Sequence, residues 1–264
     1  MPKKYSLSHY VKQKFGWTSQ PEKEFQSVLD VFINDPDQCP IAFEGSPIEL
    51  ANAMYLEWKK RGQVHWCLFP TPLDVARDLA ILLGIGDGHI VFDPGCGFGN
   101  LLHAAKDRGA EAFGCDFQPW LRPIGQSLRL DIYHGDFLDG YQPRDFNVVL
   151  TNPPFGRVGQ SSDATADFLN KLADICTEDV QIGAILPHGF MDSERPKLRL
   201  EAINKFDVLH TEPLPPDTFK PLTGVATDLV VLRSLTPRRE FPVAVRQNQV
   251  FASGSIVFEQ STLL

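Results

Sequence analysis

The stretch HIVFDPGCGFG, residues 89–99, runs from apolar residues into a turn that holds three glycines in its last five positions. The apolar part is short and rich in β-branched and aromatic residues, which favours a β-strand. A helical pattern follows at 99–108. A strand, a glycine-rich turn and a helix in this order are typical of the first unit of a doubly wound sheet. The stretch therefore predicts an α/β fold of the Rossmann-like type.

The chain after residue 68 continues this alternation. Further β-rich runs lie at 111–116, 130–136, 146–152, 180–187, 206–212 and 227–234. Helical stretches lie at 72–83, 163–176 and 193–204. Strands that alternate with helices indicate a parallel sheet covered on both faces. We predict a doubly wound, mostly parallel, seven-stranded sheet.

The residues before this pattern are predicted to form a small helical N-terminal extension. Phe25 and Val28 begin an apolar stripe at helical spacing, and a second helix is predicted after Ser46, which can form a capping box with Glu49. These helices either pack on the main domain or bind a partner or target. The predicted division is 1–66 for the extension, 67–235 for the main domain and 236–264 for a short tail packed on it.

Composition limits the classes of protein that the chain can belong to. With 264 residues, 43% of them hydrophobic, it can bury a full core. No apolar run reaches the roughly 18 residues of a membrane span, and the N-terminus lacks an apolar signal segment, so we expect a cytoplasmic protein. The net charge of −8 argues against a protein that coats nucleic acid by charge alone. The histidines show no HExxH or paired spacing, so no metal site is expected.

The glycine-rich turn is a candidate cofactor site. Asp93 stands at its entrance, where a carboxylate repels the pyrophosphate of a dinucleotide. S-adenosylmethionine lacks phosphate, and its sulfonium and amino groups are cationic. The acidic entrance therefore favours S-adenosylmethionine over NAD.

Two further acids are predicted at strand ends. Asp116 closes the second strand and can accept hydrogen bonds from both ribose hydroxyls. Asp136 is predicted to close the third strand and to accept from the adenine amino group of the cofactor, with Phe137 as a stacking wall. Each acid alone could equally be a helix cap or a turn residue. Three acids at successive strand ends favour the cofactor interpretation.

The stretch FNVVLTNPPFG, residues 146–156, is a candidate acceptor site. Two prolines end the strand and fix the backbone rigidly. The side-chain oxygen of Asn152 and the carbonyl of Pro153 can together accept both hydrogens of one planar NH₂ group, while Phe155 stacks on its ring. Such acceptors draw the nitrogen lone pair out of conjugation and make the amine nucleophilic. As an isolated tripeptide, the sequence NPP could simply end a strand.

These motifs resemble those of amino-methyltransferases, specifically adenine-N6 DNA methyltransferases. DPGCGFG at 93–99 and TNPPFG at 151–156 carry the resemblance, and Phe69-Pro-Thr71-Pro72 looks like the FxTP element of the family. FKPLTGVATDLVVLR at 219–233 resembles the late loop that borders the acceptor pocket. The order of the motifs is that of gamma-class enzymes and type I modification subunits, and the resemblance covers residues 66–235.

The resemblance implies a methyltransferase that uses S-adenosylmethionine and flips its target adenine out of DNA. The candidate cofactor-binding residues are Phe69, Thr71, Pro72, Asp93, Pro94, Gly95, Cys96, Gly97, Asp116, Phe117, Asp136, Phe137 and Asn152. The candidate catalytic residues are Asn152, Pro153, Pro154 and Phe155, and the candidate substrate-binding residues are Phe155 and Phe219.

The sequence departs from the family after the catalytic region. Relatives in restriction-modification systems carry a large target-recognition domain there, whereas about 30 residues follow Leu235. Target reading is therefore expected from the N-terminal extension, from loops, or from a specificity or helper subunit. Three alternatives stay open: an RNA adenine-N6 methyltransferase, a protein glutamine methyltransferase, and a non-catalytic subunit of a methyltransferase complex.

Overall fold

The structure, a computed structural model, describes residues 4–15, 18, 20–62, 68–159, 161–191 and 197–235. The strands in these ranges are β1 (Ile90–Pro94), β2 (Glu111–Asp116), β3 (Asp131–His134), β4 (Val148–Thr151), β5 (Gln181–Pro187), β6 (Phe206–Pro213) and β7 (Thr227–Ser234). The helices there are α1 (Leu7–Lys14), α2 (Pro21–Asn34), α3 (Pro47–Lys59), α4 (Leu73–Leu82), α5 (Asn100–Lys106), α6 (Leu121–Ser127), α7 (Ala164–Ile175) and α8 (Lys197–Ile203). The predicted division at 66/67, the predicted helix start at 193 and the tail 236–264 lie outside the described residues.

The strands form one seven-stranded sheet in the order β3-β2-β1-β4-β5-β7-β6. Strands β1 to β5 pair in parallel, and β7 pairs antiparallel with both β5 and β6. The predicted doubly wound, mostly parallel sheet is confirmed. The strand order reverses direction between β1 and β4, and ligands of open α/β sheets bind outside the carboxyl ends of the strands at such a point.

Both faces of the inner strands β1, β4 and β5 are buried, as apolar strands of this kind require. Val91 and Leu150 contribute to a core with α4 and α5, whereas Phe92 and Val149 contribute to a core with α7. Successive residues of a strand point to opposite faces, so each apolar strand serves both cores. The paired cores hold the strand ends rigidly beneath the site.

The N-terminal helices pack on the main domain through a third core. Phe25 of α2 stacks on Phe98 of the glycine-rich turn, and both Phe25 and Trp58 of α3 contact Trp120 beside α6. Helix α3 begins after Ser46, as predicted, with both hydrogen bonds of the capping box. The N-terminal helices therefore lie directly against the candidate cofactor loop.

Two local features differ from the sequence predictions. Helix α6 contains proline and glycine and was not predicted; it forms because Leu121 and Ile124 are buried against the N-terminal helices. Strand β3 ends at His134, so the prediction that Asp136 closes this strand was wrong. Asp136 lies in a turn, where its side chain accepts a hydrogen bond from the main-chain N–H of Leu138 at 2.9 Å. This hydrogen bond favours the turn, because an aspartate side chain that accepts from a nearby main-chain N–H offers the backbone an alternative to strand pairing.

The connection between β6 and β7 lies at the same edge of the sheet as the carboxyl end of β5. Because β7 runs antiparallel to both neighbours, β6 and β7 form a hairpin with residues 214–226 as its loop. This loop contributes Phe219, Thr223 and Val225 to the cavity described below.

Candidate active site

A cavity of about 330 Å³ lies at the carboxyl ends of β1, β2 and β4. This volume is at the lower end of the range usual for small-molecule and cofactor sites. The residues predicted from the sequence that line it are Phe69, Thr71, Asp93, Gly95, Cys96, Gly97, Asp116, Phe117, Asn152, Pro153, Pro154, Phe155 and Phe219. The structure thus brings segments from residue 69 to residue 219 together around one space.

Asp93 lies at the bottom of the cavity with 2% of its surface exposed. Within the described part of the chain, no donor contacts its Oδ1 atom, which is fully buried. Burial raises the pKa of Asp93 well above its ordinary value, and the nearby Asp116 carboxyl raises it further. A buried carboxyl oxygen without a donor costs stability. The site therefore favours a ligand that brings a cation or a hydrogen-bond donor to this atom.

The glycine-rich turn is fixed to the end of β2. The N–H groups of Gly95 and Cys96 both donate to the Cys115 carbonyl, at 2.8 and 3.0 Å. Gly97 has φ +54, and a Cβ added to it would lie 2.7 Å from the side chain of Leu68. The positive φ disfavours any side chain at this position, and a Cβ would also force the end of the Leu68 side chain to move. The backbone itself therefore forms this part of the cavity wall.

Asp116 is the last residue of β2 and is 5% exposed. Its Oδ2 accepts a hydrogen bond from Gly97 N at 3.0 Å, and its Oδ1 accepts from Gln118 N at 2.9 Å. Burial raises the pKa of Asp116 to about 6, although these two N–H groups act in the opposite direction. A carboxylate has about four acceptor positions, so two remain for hydroxyl donors of a ligand. The adjacent Phe117 is 60% exposed and offers an apolar ring at the cavity edge.

Four predicted cofactor-binding residues do not line the cavity: Pro72, Pro94, Asp136 and Phe137. Pro72 precedes α4, and the carbonyl of Pro94 accepts a hydrogen bond from the Thr151 hydroxyl. The ring of Phe137 is 2% exposed and packs between Phe92 and Phe168 in the core. It supports the cavity from below through Phe168, which does line it.

Asn152 is the first residue after β4, and its side chain is held in one orientation. Its Nδ2 donates to the Phe69 carbonyl at 3.1 Å and to the Thr71 hydroxyl at 3.2 Å. With both N–H groups engaged, the side-chain oxygen is the remaining polar atom. The Pro154 carbonyl is occupied by the Thr165 hydroxyl at 2.9 Å, whereas no donor among the described residues contacts the Pro153 carbonyl. Two rigid acceptors thus remain at the cavity.

Aromatic rings enclose the acceptor side of the cavity. Phe155 is half-buried, and Phe219, from the loop between β6 and β7, is 5% exposed. Both pack against the core formed with α4 and α5. Such rings offer stacking and edge contacts to a flat aromatic ligand.

Several lining residues were missed by sequence reasoning. They are Leu68, Pro70, Phe98, Asn100, Leu101, Gln118, Arg157, Val158, Phe168, Thr223 and Val225. Phe168 carried no signal beyond the spacing of a core helix. Thr223 and Val225 fall within the predicted 219–233 segment, and their position after Phe219 was the available indication.

Arg157 is exposed at the rim, two residues after Phe155. It is the one basic side chain among the described residues that line the cavity, and no carboxylate in the described ranges forms an ion pair with it. The acids Asp93 and Asp116, which also line the cavity, are both buried. The cavity is therefore polarised, with acids at its buried end and a cation at its opening.

No group of three or more His, Cys, Asp or Glu side chains in the described ranges is arranged to hold a metal ion. None of the helices described is long and apolar enough to cross a bilayer.

Known proteins resemble this chain mainly at the level of fold. No family model matches the sequence. A tRNA (guanine(10)-N2)-dimethyltransferase of Methanocaldococcus jannaschii is 28% identical over 106 residues, which are 34% of this chain and 29% of that protein.

Two similar solved structures have putative assignments. One is a modification subunit of a type I restriction enzyme from Vibrio vulnificus YJ016, with a TM-score of 0.61, 18% identity, and coverage of 76% of this chain and 52% of that chain. The other is a class I S-adenosylmethionine-dependent methyltransferase from Listeria monocytogenes, with a TM-score of 0.56, 15% identity, and coverage of 84% and 92%. This chain thus spans about half of the type I subunit and less than a third of the tRNA enzyme. The structural likeness establishes the α/β fold that these proteins share.

Proposed function

We propose that the chain is an S-adenosylmethionine-dependent methyltransferase that methylates the N6 amino group of adenine in DNA. One observation carries the proposal: Asn152, whose amide is oriented by Phe69 and Thr71, and Pro153 line the same cavity as Asp93, which has a buried, unpartnered oxygen. A site for a cationic cofactor and a site for a planar amino group therefore adjoin.

The residues at the buried end fit the cofactor. Asp93 Oδ1 would accept from its amino group, and Asp116 would accept from its ribose hydroxyls with the lone pairs that Gly97 and Gln118 leave open. The backbone of the glycine-rich turn permits close approach because Gly97 carries no side chain. When bound, S-adenosylmethionine supplies an electrophilic methyl group on a sulfonium centre. The likeness in fold to the Listeria methyltransferase supports this choice of cofactor.

The residues at the open end fit a conjugated amine. Asn152 Oδ1 and the Pro153 carbonyl would each accept one hydrogen of the NH₂ group, and Phe155 would stack on the ring that carries it. These acceptors would stabilise the positive charge that develops on the nitrogen, and their rigid orientation would hold its lone pair toward the cofactor site. Formation of the N–methyl bond would break the methyl–sulfur bond, leave the electron pair on sulfur and release one proton from the nitrogen. No nucleophilic side chain is required.

The charge at the opening supports a nucleic acid substrate. Arg157 lies at the rim without a protein partner in the described ranges, where it can contact a phosphate next to a flipped nucleotide. Because the net charge of the chain is −8, this contact is local, and a specificity or helper subunit would supply the rest of the binding surface. The fold likeness to a type I modification subunit supports DNA and such an assembly.

RNA is the second candidate, and one observation favours it. The tRNA dimethyltransferase that matches 106 residues of this chain is named for an exocyclic amine of guanine in RNA. An amino-group site of the geometry described above sees a single nucleotide, so it accepts either polymer once the base is extruded.

A labelled methyl-transfer assay would test the proposal. The full chain is given S-adenosylmethionine with a labelled methyl group and, in parallel, adenine-containing DNA, RNA and a protein mixture, and the modified base or residue is identified by mass spectrometry. We expect N6-methyladenine in DNA. Label in RNA or on a protein glutamine would instead identify RNA or protein as the substrate. Absence of transfer to all three would favour a non-catalytic subunit.

The variant Asn152→Ala tests the catalytic assignment within the same assay. It should abolish transfer while leaving cofactor affinity within about twofold, because its oxygen acts on the amine. Asn34→Ala is a matched control, since that exposed side chain donates to the Asp30 carbonyl far from the cavity. A normal rate in Asn152→Ala would remove the acceptor pair from the mechanism.

A further inference from the structure

The N-terminal helix α3 holds the segment that orients Asn152. The segment is residues 68–71, which line the cavity. At its first residue, the Leu68 carbonyl accepts hydrogen bonds from the hydroxyl of Tyr55 at 2.9 Å and from the amine of Lys59 at 3.4 Å. The Lys59 amine also lies 4.2 Å from the centre of the Phe69 ring. One end of the segment is therefore fixed by two side chains of α3.

The other end of the segment is fixed through a pair of asparagines. Asn100 Nδ2 donates to the Thr71 carbonyl at 2.6 Å. The amides of Asn100 and Asn52 exchange two hydrogen bonds of 3.1 Å each, and Asn52 Nδ2 also donates to the Ile48 carbonyl at 2.7 Å. Asn52 belongs to α3, so both ends of the segment are held by the same helix.

The segment held in this way offers two acceptors to Asn152, namely the Phe69 carbonyl and the Thr71 hydroxyl. An amide group rotated by half a turn would present oxygen to these two positions and its N–H groups to the cavity. The Phe69 carbonyl cannot donate to the Asn152 oxygen, so the rotated state loses that hydrogen bond. In this state the Asn152 N–H groups would also face the N–H groups of a substrate amine, and two donors cannot bond to each other. The position of the segment thus decides which atom of Asn152 faces the substrate.

We propose that Asn52 is a positioning residue for methyl transfer, which sets the orientation of the Asn152 side chain through Asn100 and Thr71. The proposal rests on the proposed function, because it assigns Asn152 the role of amine acceptor. On this view, α3 is part of the catalytic apparatus, and any event that displaces α3 changes the rate of transfer. The pair of Asn52 and Asn100 amides has this role rather than simple packing. Two apolar side chains would fill the same half-buried contact without the energetic cost of removing four polar atoms from water.

The test is Asn52→Ala in the full chain, with Asn34→Ala as the matched control. Both asparagines donate to the carbonyl four residues earlier in their helix, so loss of that bond is common to both variants. For Asn52→Ala we expect kcat to fall about 3- to 10-fold, the equivalent of one net hydrogen bond, with unchanged KM for S-adenosylmethionine. Asn34→Ala should keep the wild-type kcat.

Two further measurements separate positioning from general damage. Amide hydrogen exchange of the peptide that covers residues 68–71 should accelerate in Asn52→Ala and not in Asn34→Ala. In a double-mutant cycle with Thr71→Val, the two losses of kcat should combine to less than their product, because both substitutions act on the same hydrogen bond to Asn152.

The outcomes distinguish the inference from the proposed function. If Asn152→Ala is inactive and Asn52→Ala has the wild-type kcat, or if the cycle is fully multiplicative, the positioning role is overturned while the acceptor site stands. If Asn152→Ala retains the wild-type rate, the acceptor role of Asn152 is overturned and the positioning role of Asn52 with it. If the wild-type chain transfers no methyl group to DNA, RNA or protein, the proposed function itself is overturned.

Discussion

Replacing Asp93 by asparagine should make the protein more stable and less able to bind its cofactor. The substitution keeps the shape of the side chain but removes a buried carboxyl group with a fully buried, unpartnered oxygen. Loss of a hydrogen bond to a charged group costs about 1.5–3 kcal/mol. At 1.4 kcal/mol for each factor of ten, we expect the Kd for S-adenosylmethionine to rise roughly 10- to 150-fold.

The stability effect has the opposite sign and depends on pH. Burial raises the pKa of Asp93 in the folded state, so the folded protein holds this proton at pH values where the unfolded chain releases it. The stabilisation from the neutral form is complete below the ordinary pKa of 3.8 and is lost as pH rises toward the raised value. Asparagine does not titrate, so the melting temperature of Asp93→Asn should exceed that of the wild type by a margin that grows with pH.

The assay combines calorimetric titration with S-adenosylmethionine and melting curves without ligand between pH 5 and 8.5. Asp139→Asn is the matched control, because that aspartate is exposed at the same edge of the sheet. Saturating cofactor should narrow or reverse the difference in melting temperature, since it stabilises the wild type more. An unchanged Kd would refute the role of Asp93 as the acceptor for the cofactor amino group. A variant less stable than the wild type at pH 8 without ligand would refute the destabilising effect of the buried carboxyl.

Two more predictions concern the neighbouring charges. Burial raises the pKa of Asp116 to about 6. If the cofactor binds the ionised carboxylate, the affinity for the cofactor should fall about tenfold between neutral pH and pH 5. Calorimetry should find that the affinity of Asp116→Asn depends less on pH. Arg157→Ala should raise KM for the polymer and reduce the slope of log affinity against log salt by about one, with cofactor affinity unchanged. Arg122→Ala, at an exposed position of α6, is the control, and equal salt slopes in both variants would exclude a phosphate contact at Arg157.

The sheet was predictable because its signals are local. The inner strands β1, β4 and β5 are short apolar runs, and a strand buried on both faces tolerates little else. The start of α3 was equally local, since Ser46 and Glu49 lie three residues apart. Helix α6 lacked such a signal, because its stability depends on burial of Leu121 and Ile124 in a core with α2, about 90 to 100 residues earlier in the chain.

The candidate site was predictable at the strand ends and less so between them. Asp93, Asp116 and Asn152 each follow an apolar run, and the topology of a doubly wound sheet brings such positions together. The hydrogen bonds of Asn152 reach 83 and 81 residues back along the chain, and no pattern indicates which acceptors it meets. Phe137 resembles a stacking residue by its position after Asp136, yet its direction depends on the turn that ends β3.

The hairpin of β6 and β7 has an evolutionary consequence. Its loop, residues 214–226, contributes Phe219, Thr223 and Val225 to the lining of the cavity. The loop lies outside the paired residues of β6 and β7. A hairpin loop can lengthen or exchange residues at a small entropic cost while the paired strands keep their register. In the proposed function, the loop that meets the target base can therefore diversify independently of the residues that meet the cofactor. Exchange of the loop at 214–226 would then be a direct route to altered target choice.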